Sequence, residues 1–219
     1  MQLELMQRGK FITFEGSEGC GKSTQIRRFV DHLKDCGLEV LTTREPGGTV
    51  VGEKIRHLLQ FDQEAADMTP ESELLLFAAS RAQLVRSEIA PALERGTWVV
   101  ADRFLDSTTV YQGIARGLDL ASVKAINAFA VGETRPDLTI LLDLDVEVGH
   151  SRAVAASAGK EDRMEAQPMA FFHSVRQGYL DLAKEEPGRI AVIDASVSID
   201  EVTAAIQAEF AERVGEVGA

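Results

Sequence analysis

The sequence is poor in cysteine, and it lacks any long apolar run. Its two cysteines, Cys20 and Cys36, are too few for a disulfide framework, so we expect a protein of the reducing cytoplasm. No apolar run approaches the ~18 residues of a membrane span. The N-terminal stretch MQLELMQRGK also lacks the apolar core of a signal peptide, and we expect no membrane partner.

The sequence also has little positive charge to offer a large polyanion. Lysine and arginine number 23 against 35 aspartates and glutamates, which gives a formal net charge of −12. Because such a chain repels nucleic acid, we expect no nucleic-acid partner. The four histidines share no metal-ligand spacing, so we assign them no metal. Any anionic substrate must be held by local positive groups.

Repeats, low-complexity tracts and Pro/Gly-rich linkers are all missing, which predicts one domain over residues 1–219. Short, continuously apolar segments alternate with longer helical patterns, as is typical of an α/β fold whose parallel five-stranded sheet carries helices on both faces. Ligands of such sheets bind at the carboxyl ends of the strands. The predicted strands are 10–15, 38–41, 97–101, 138–142 and 189–193, and the predicted helices are 21–35, 69–93, 106–115, 120–131, 146–156, 168–184 and 199–214.

The segment GSEGCGKS, from Gly16 to Ser23, fits the phosphate-loop pattern G-x-x-x-x-G-K-[ST]. Its glycines let backbone N–H groups turn toward phosphate oxygens, and the following helix N-terminus adds partial positive charge. Lys22 then reaches the β- and γ-phosphates, and Ser23 offers a hydroxyl to Mg²⁺. The alternative is a structural glycine-rich turn. The predicted triphosphate-binding residues are Gly16, Ser17, Glu18, Gly19, Cys20, Gly21, Lys22, Ser23 and Thr24.

Cys20 lies inside this loop, just before the N-terminus of the predicted helix. The partial positive charge of a helix N-terminus favours the thiolate form of a cysteine. We therefore expect alkylating reagents to modify Cys20 and a bound nucleotide to protect it.

A phosphate loop indicates a nucleoside triphosphate but not the reaction. The sequence lacks the N-K-x-D base reader of a guanine-nucleotide switch, and a motor ATPase usually needs a longer chain. A switch or regulator built on a phosphate loop nevertheless remains a rival interpretation.

Four further segments are unusually polar beside buried strands. They are TREPGGT at 43–49, FAASR at 77–81, DRF at 102–104 and STTVYQG at 107–113. In this order and spacing, together with the phosphate loop, they closely resemble the thymidylate kinase family. The resemblance runs from about Phe11 to the last predicted helix. It implies a P-loop nucleoside monophosphate kinase fold with a mobile lid, a homodimer, and transfer of the γ-phosphate of ATP, with Mg²⁺, to dTMP.

The acceptor side of the site is predicted from these segments. Arg44 and Arg103 follow strand ends, where guanidinium groups suit a phosphate, although each alone also fits a surface ion pair. The resemblance implies that both bind the acceptor phosphate, and that Asp102 orders Arg103 or a water on Mg²⁺. It places Glu18 at the 3′-hydroxyl of the acceptor. The turn at Glu45-Pro46 is left open between a cis proline and an ordinary loop.

Phe77 and Arg81 are four residues apart and share one helical face, where a phenyl ring can stack on a pyrimidine and an arginine can donate to its carbonyl. Phe77 alone also fits a core position, whereas a charge on so apolar a helix needs a partner. The resemblance places this pair on thymine. The predicted substrate-binding residues are Glu18, Arg44, Pro46, Phe77, Arg81, Arg103, Thr108, Tyr111 and Gln112.

A lid is predicted at about 151–167, where small residues precede Gly159 and a charged stretch. The alternative is a solvated loop. Members of the family place a basic residue either in the phosphate loop or in the lid, and this phosphate loop has no arginine. The sequence therefore resembles the lid-supplied, mostly bacterial pattern, with Arg152 as the main cation, Lys160 in support and Arg163 as the alternative. The predicted catalytic residues are Lys22, Asp102, Arg103, Arg152 and Lys160.

Another nucleoside monophosphate kinase or deoxynucleoside kinase on the same scaffold is the first rival, because it would share the donor site. Only the residues assigned to the base argue against it. They are Phe77, Arg81, Thr108 and Gln112.

Overall fold

The computed structural model describes residues 8–65, 67–157, 163–164 and 166–215. Its sheet is five-stranded and parallel, in the order β2-β3-β1-β4-β5. This confirms the predicted α/β class and the parallel sheet. The strands are β1 Phe11–Glu15, β2 Val40–Arg44, β3 Trp98–Asp102, β4 Leu138–Asp143 and β5 Ile190–Asp194.

Helices connect the strands and cover both faces of the sheet. A π-helical turn at Val85–Ile89 joins α3 to α4, where a single helix over 69–93 is predicted, and a second such turn at Thr109–Ala115 continues α5. The helices are α1 Lys22–Asp35, α2 Val50–Gln60, α3 Pro70–Leu84, α4 Ala90–Glu94, α5 Leu105–Thr108, α6 Leu120–Val131, α7 Val146–Ser157, α8 Met169–Glu185 and α9 Ile199–Val214.

Two elements differ from the sequence prediction. Helix α2 is not predicted, and of its residues only Gly52 and Leu59 are buried. Its start is set by Thr49, whose side chain accepts a hydrogen bond from the backbone N–H of Gly52. Strand β2 begins two residues later than predicted, since it is an edge strand with a partly exposed face.

Apolar packing holds helices against each face of the sheet. On one face Phe14 packs edge-to-face on Phe29, which in turn packs on Phe210 of α9. On the other face Phe11 packs edge-to-face on Phe104, at a ring-centroid distance of 4.8 Å. Among the residues that the structure describes, no helix is both long enough and apolar enough to cross a bilayer.

Strand register brings the predicted motifs to one edge of the sheet. Asp102 at the end of β3 lies opposite Phe14 of β1 and also opposite Arg44 at the end of β2. The phosphate loop follows β1, the central strand, and runs directly into α1. The segments after β1, β2 and β3 therefore meet where ligands of parallel sheets bind.

Candidate active site

A cavity of about 590 Å³ lies at this edge, enclosed by the phosphate loop, the ends of β2 and β3, and helices α3 and α7. Its size suits a nucleotide-sized ligand. Most of the predicted site residues line it. They are Glu18, Gly19, Gly21, Lys22, Ser23, Thr24, Arg44, Pro46, Phe77, Asp102, Arg103, Thr108, Tyr111, Gln112 and Arg152.

The remaining predicted residues fall in three groups. Gly16, Ser17 and Cys20 belong to the phosphate loop but do not line the cavity. Arg81 lies in the wall behind it. Lys160 lies outside the described residues.

The phosphate loop has the geometry that its glycines permit. Gly16, Gly19 and Gly21 have φ angles of 138°, 69° and 94°, in the region that side-chain-bearing residues rarely adopt. The Nζ of Lys22 donates to the backbone carbonyls of Gly16 at 3.1 Å and Ser17 at 2.9 Å. The ammonium group therefore lies inside the loop, where phosphate oxygens are expected.

The back of this loop rests on the first turn of α7. A Cβ on Gly19 would lie 2.0 Å from the backbone oxygen of Gly149, and a Cβ on Gly149 would lie 2.6 Å from the oxygen of Glu18. Only glycine at both positions allows this approach. Arg152 follows Gly149 by less than one helical turn, so the contact brings Arg152 to the rim of the cavity.

Arg103 is the centre of a group of polar and aromatic contacts at the cavity. It has a φ of 67°, and it is the single described residue other than glycine with a positive φ. Such backbone conformations persist at sites where the surroundings enforce them. Its Nη2 donates to Oε1 of Glu18, and its Nη1 donates to the hydroxyls of Ser107 and Tyr179, both at 3.3 Å. Its guanidinium also lies 5.2 Å from the ring centroid of Tyr111.

Glu18 shows how the site balances its charges. Burial alone would raise the pKa of Glu18, but the positive charges of Arg103 and Lys22 outweigh burial and hold this pKa below its usual value. The acid inside the phosphate loop is therefore a carboxylate at neutral pH. It links the phosphate loop to Arg103.

Glu15, which sequence reasoning missed, supports Arg103 from below. It is fully buried at the end of β1 and accepts hydrogen bonds from the backbone N–H of Phe104 at 2.8 Å and the hydroxyls of Ser107 at 2.6 Å and Tyr179 at 2.7 Å. Burial, followed by the nearby Asp106 carboxylate, raises the pKa of Glu15. These bonds hold in place two hydroxyls that orient Arg103.

Arg44 is arranged differently, on an exposed part of the rim. Its Nη2 donates to both carboxylate oxygens of Glu53 at 3.1 and 3.2 Å. Glu53 Oε1 also accepts from the backbone N–H of Gly48 at 2.9 Å. The pair fixes the loop after β2 against α2 and keeps the guanidinium at the cavity.

Arg81 lies deeper in the fold than the other residues assigned to the base. It is 1% exposed, and its Nε and Nη2 donate to Oε2 of Glu45, while Nη1 donates to the side chain of Asn127 at 2.7 Å. A buried guanidinium needs such pairing, because an uncompensated charge in the interior is costly. Arg81 thus shapes the wall through Glu45, which precedes the cis-bonded Pro46. A direct contact between Arg81 and a base stays a prediction.

Several polar atoms around the cavity are buried, and they have no hydrogen-bond partner among the described residues. Burial raises the pKa of one of these groups, Glu45, to about 7 in spite of the ion pair with Arg81. An unpaired buried polar atom costs ~1–3 kcal/mol, so a cluster of them marks a site for a polar ligand. The atoms are Oε1 of Glu45, Oε1 of Gln60, Oγ1 of Thr108 and the hydroxyl of Tyr111.

The two described lid arginines have different surroundings. Arg152 is exposed at the cavity and forms no ion pair with any residue that the structure describes. Arg163 instead pairs with the buried Glu73 at 2.6 Å, and its Nε donates to the carbonyl of Leu59 at 2.9 Å. Arg163 therefore ties the end of the lid to α2 and α3 and does not line the cavity.

Cys20 is less accessible than its predicted reactivity toward alkylating reagents requires. Its side chain is 3% exposed and packs in the apolar cluster on the α1 side of the sheet. An inaccessible thiol reacts slowly whatever the local charge. We therefore expect a thiol reagent such as iodoacetamide to label Cys36, which is partly exposed, well before Cys20. Mass spectrometry of the labelled peptides checks this, and rapid labelling of Cys20 that ATP prevents would restore the original expectation.

Other residues at the cavity were not predicted. Arg56 and Gln60 were missed because they line the cavity from α2, which was not predicted, whereas Met164 lies within the segment predicted as a lid. The Nη1 of Arg56 donates to the carbonyl of Pro46 at 3.0 Å. The threonine that caps α2, at the end of TREPGGT, is the sequence signal that identifies this helix.

A phosphate loop after the central strand, facing two guanidinium groups across one cavity, defines a P-loop kinase that moves a phosphoryl group between two phosphate-bearing ligands. Comparison with known proteins gives the particular family. The model of the thymidylate kinase family matches residues 14–206. A thymidylate kinase from Desulfosudis oleivorans is 51% identical over 212 residues, covering 94% of this chain and 98% of that protein.

Two further comparisons agree. A thymidylate kinase from Geobacter sulfurreducens is 47% identical over 210 residues, covering 94% of this chain and 98% of that protein. The crystal structure of thymidylate kinase from Ehrlichia chaffeensis matches with a TM-score of 0.74 and 33% identity, covering 93% of this chain and 98% of that one. This chain belongs to the thymidylate kinase family, with the P-loop nucleoside monophosphate kinase fold.

Proposed function

We propose that the chain transfers the γ-phosphate of ATP to dTMP within this cavity, the activity that its family membership defines, using the residues described above. One observation carries the assignment of roles. The phosphate loop and Arg103 line one cavity and are linked by Glu18 of the loop, which pairs with Arg103. A donor phosphate on the loop and an acceptor phosphate on Arg103 would therefore meet at Glu18.

The acceptor phosphate needs no strong general base. The second pKa of a phosphate monoester is about 6, so the acceptor is largely a dianion at neutral pH. The task of the site is to bring two polyanions together and to offset the charge that builds between them. We assign this task to Lys22 on the donor, Arg103 and Arg44 on the acceptor, and Arg152 from the lid.

We propose that Mg²⁺ binds with ATP at Ser23, and that Asp102 orders Arg103 or a water on the ion. The hydroxyl of Ser23 and the carboxylate of Asp102 line the same cavity, and oxygen ligands of this kind suit a small hard cation. Mg²⁺ commonly takes only one or two protein ligands and completes its shell with phosphate oxygens and water, so these oxygen groups fit it. The bound cation would neutralise part of the phosphate charge.

We propose that the base lies against α3 and the segment after β3. Phe77 is half-buried and lines the cavity, so its ring is available for stacking. Thr108 and Gln112 line the same cavity from α5 and the π-helical turn that follows, and they offer polar groups. Tyr111 would lie against the deoxyribose.

Replacing Phe77 with alanine is expected to raise KM for dTMP roughly ten- to a hundredfold, because stacking on a base is worth ~1–3 kcal/mol. KM for ATP should change little, since Phe77 does not contact the phosphate loop. Steady-state kinetics with each substrate varied in turn measures both constants. Equal losses for the two substrates, with a lower melting temperature, would assign Phe77 to the core instead.

A coupled ADP-release assay with dTMP, dUMP, UMP, dCMP, AMP and GMP tests the function itself. We expect the highest kcat/KM with dTMP. A preference for another monophosphate would favour the rival monophosphate kinase, and slow turnover with tight product binding would favour a switch protein.

Three further proposals concern the whole protein. We propose that residues 1–219 form one domain with a lid at about 151–167, and that the enzyme acts in the cytoplasm, where its two free cysteines stay reduced. We also propose a homodimer through α2, α3 and α6. These neighbouring helices expose Val50, Leu75 and Phe129, the last at 82%. Light scattering of the purified protein tests the dimer.

A further inference from the structure

Glu73 on α3 is a buried carboxylate with an unusual set of partners. It is 1% exposed, and its Oε1 accepts from Nε2 of Gln112 at 2.8 Å. Arg116 donates to both carboxylate oxygens at 3.3 Å, and Arg163 pairs with Oε2 at 2.6 Å. All of these partners are N–H donors, so both carboxylate oxygens of Glu73 act as acceptors in this arrangement.

This fixes the orientation of the Gln112 amide. If the amide were turned over, its oxygen would face an oxygen of Glu73, and two acceptors would oppose each other in a buried place. The amide nitrogen is therefore held toward Glu73, which takes one of its two hydrogens. The acceptor that Gln112 offers to a ligand in the cavity is its carbonyl oxygen.

An acceptor at this position distinguishes pyrimidines by the state of ring atom N3. Thymine and uracil carry a hydrogen on N3 and can donate it, whereas N3 of cytosine is an acceptor. A site built to bond a substrate N–H rejects an analogue that lacks it, because its own polar group is then left unpaired.

We propose that Glu73 is a positioning residue for base selection, which presents Oε1 of Gln112 to the N3–H of thymine and so excludes cytosine. The inference rests on the proposed function, in which the base lies against Phe77 and Gln112. Glu73 itself need not touch the substrate. Arg116 donates to both oxygens of Glu73 and so holds the carboxylate as the acceptor that faces the Gln112 amide.

The decisive variant is Glu73→Gln, which has nearly the same shape. A glutamine at 73 offers both a donor and an acceptor, so the amide of Gln112 is free to turn and to present its nitrogen to N3 of cytosine. We expect the ratio of kcat/KM for dTMP to that for dCMP to fall ten- to a hundredfold, in part through a gain of activity with dCMP. The ratio for dTMP over dUMP should stay unchanged, since both bases carry the N3 hydrogen.

Two control variants separate this role from others. Arg163→Gln removes a partner of Glu73 on the lid side and leaves the bond to Gln112, so turnover should fall without a change in the dTMP to dCMP ratio. Gln112→Leu tests the proposed function. It should raise KM for dTMP, and an unchanged KM would mean that the base does not lie against Gln112, whatever Glu73 does.

The outcomes then decide the inference. A gain with dCMP, or a fall in the dTMP to dCMP ratio with the dUMP ratio preserved, supports it. Parallel losses of kcat/KM for all three nucleotides, or an unchanged dTMP to dCMP ratio, overturn the inference about Glu73. The proposed function still stands in that case if Gln112→Leu raises KM for dTMP. If Glu73→Gln does not fold, Glu73→Asp serves in its place. Its shorter side chain keeps a carboxylate near Arg116 and Arg163 but moves that carboxylate away from Gln112, and we expect the same fall in the dTMP to dCMP ratio.

Discussion

Replacing Arg103 with alanine is expected to lower kcat by roughly 10²–10³, since one well-placed donor to transition-state charge is worth about 3–4 kcal/mol. We expect so large an effect because the guanidinium of Arg103 is held in one place. Its contacts are Glu18, Ser107, Tyr179 and the ring of Tyr111. The same assay of ADP release measures the loss at saturating ATP and dTMP.

Arg28→Ala is the matched control for Arg103. Arg28 forms an ion pair with Asp200 on an exposed surface, and such pairs contribute ~0–1 kcal/mol. We expect this variant to keep the kinetics of the parent enzyme. If Arg103→Ala also kept the parent kcat, while circular dichroism showed an intact fold, Arg103 would have no part in the transfer.

Replacing Arg152 with alanine should lower kcat by about a hundredfold and leave KM for dTMP nearly unchanged, the pattern of a contact made mainly in the transition state. The phosphate loop carries no arginine, and Arg152 is at the cavity without an ion pair to a described residue. This position places its charge where the phosphates are expected. Steady-state kinetics with both substrates varied distinguishes the two constants.

Variants of the other basic lid residues complete this test. Lys160→Ala should cost less, roughly tenfold, since we assign it a supporting role. Arg163→Ala should lower thermal stability as well as turnover, because it leaves Glu73 short of a partner. Normal turnover of all three variants would mean that the lid supplies no catalytic charge. A loss confined to Arg163→Ala would mean that Arg163, and not Arg152, supplies it.

The phosphate loop was predictable because its chemistry is local. The loop residues from Gly16 to Ser23 are consecutive, and the φ angles of its glycines follow from their position between a strand and a helix. Arg103 was predictable for a similar reason, since it directly follows a buried strand whose end must lie at the ligand edge of the sheet.

The supporting residues were not predictable, because their partners are distant in sequence. In the sequence Glu15 is simply the last residue of an apolar strand. Its partners Ser107 and Tyr179 are 92 and 164 residues away, so the sequence does not indicate these contacts. Sequence reasoning required a partner for Arg81 but had no means of choosing Glu45, 36 residues earlier. Glu73 likewise looks like a first-turn acid of α3, although it bonds Gln112 in its buried position.

The contact between Gly19 and Gly149 has a mechanical consequence. Because backbone meets backbone there with no side chain between, neither segment can rotate against the other without a steric clash. The loop that would carry the nucleotide and the helix that carries Arg152 are therefore in direct backbone contact. We expect a shift of the loop on binding phosphate to be passed to this helix, and so to change the position of Arg152.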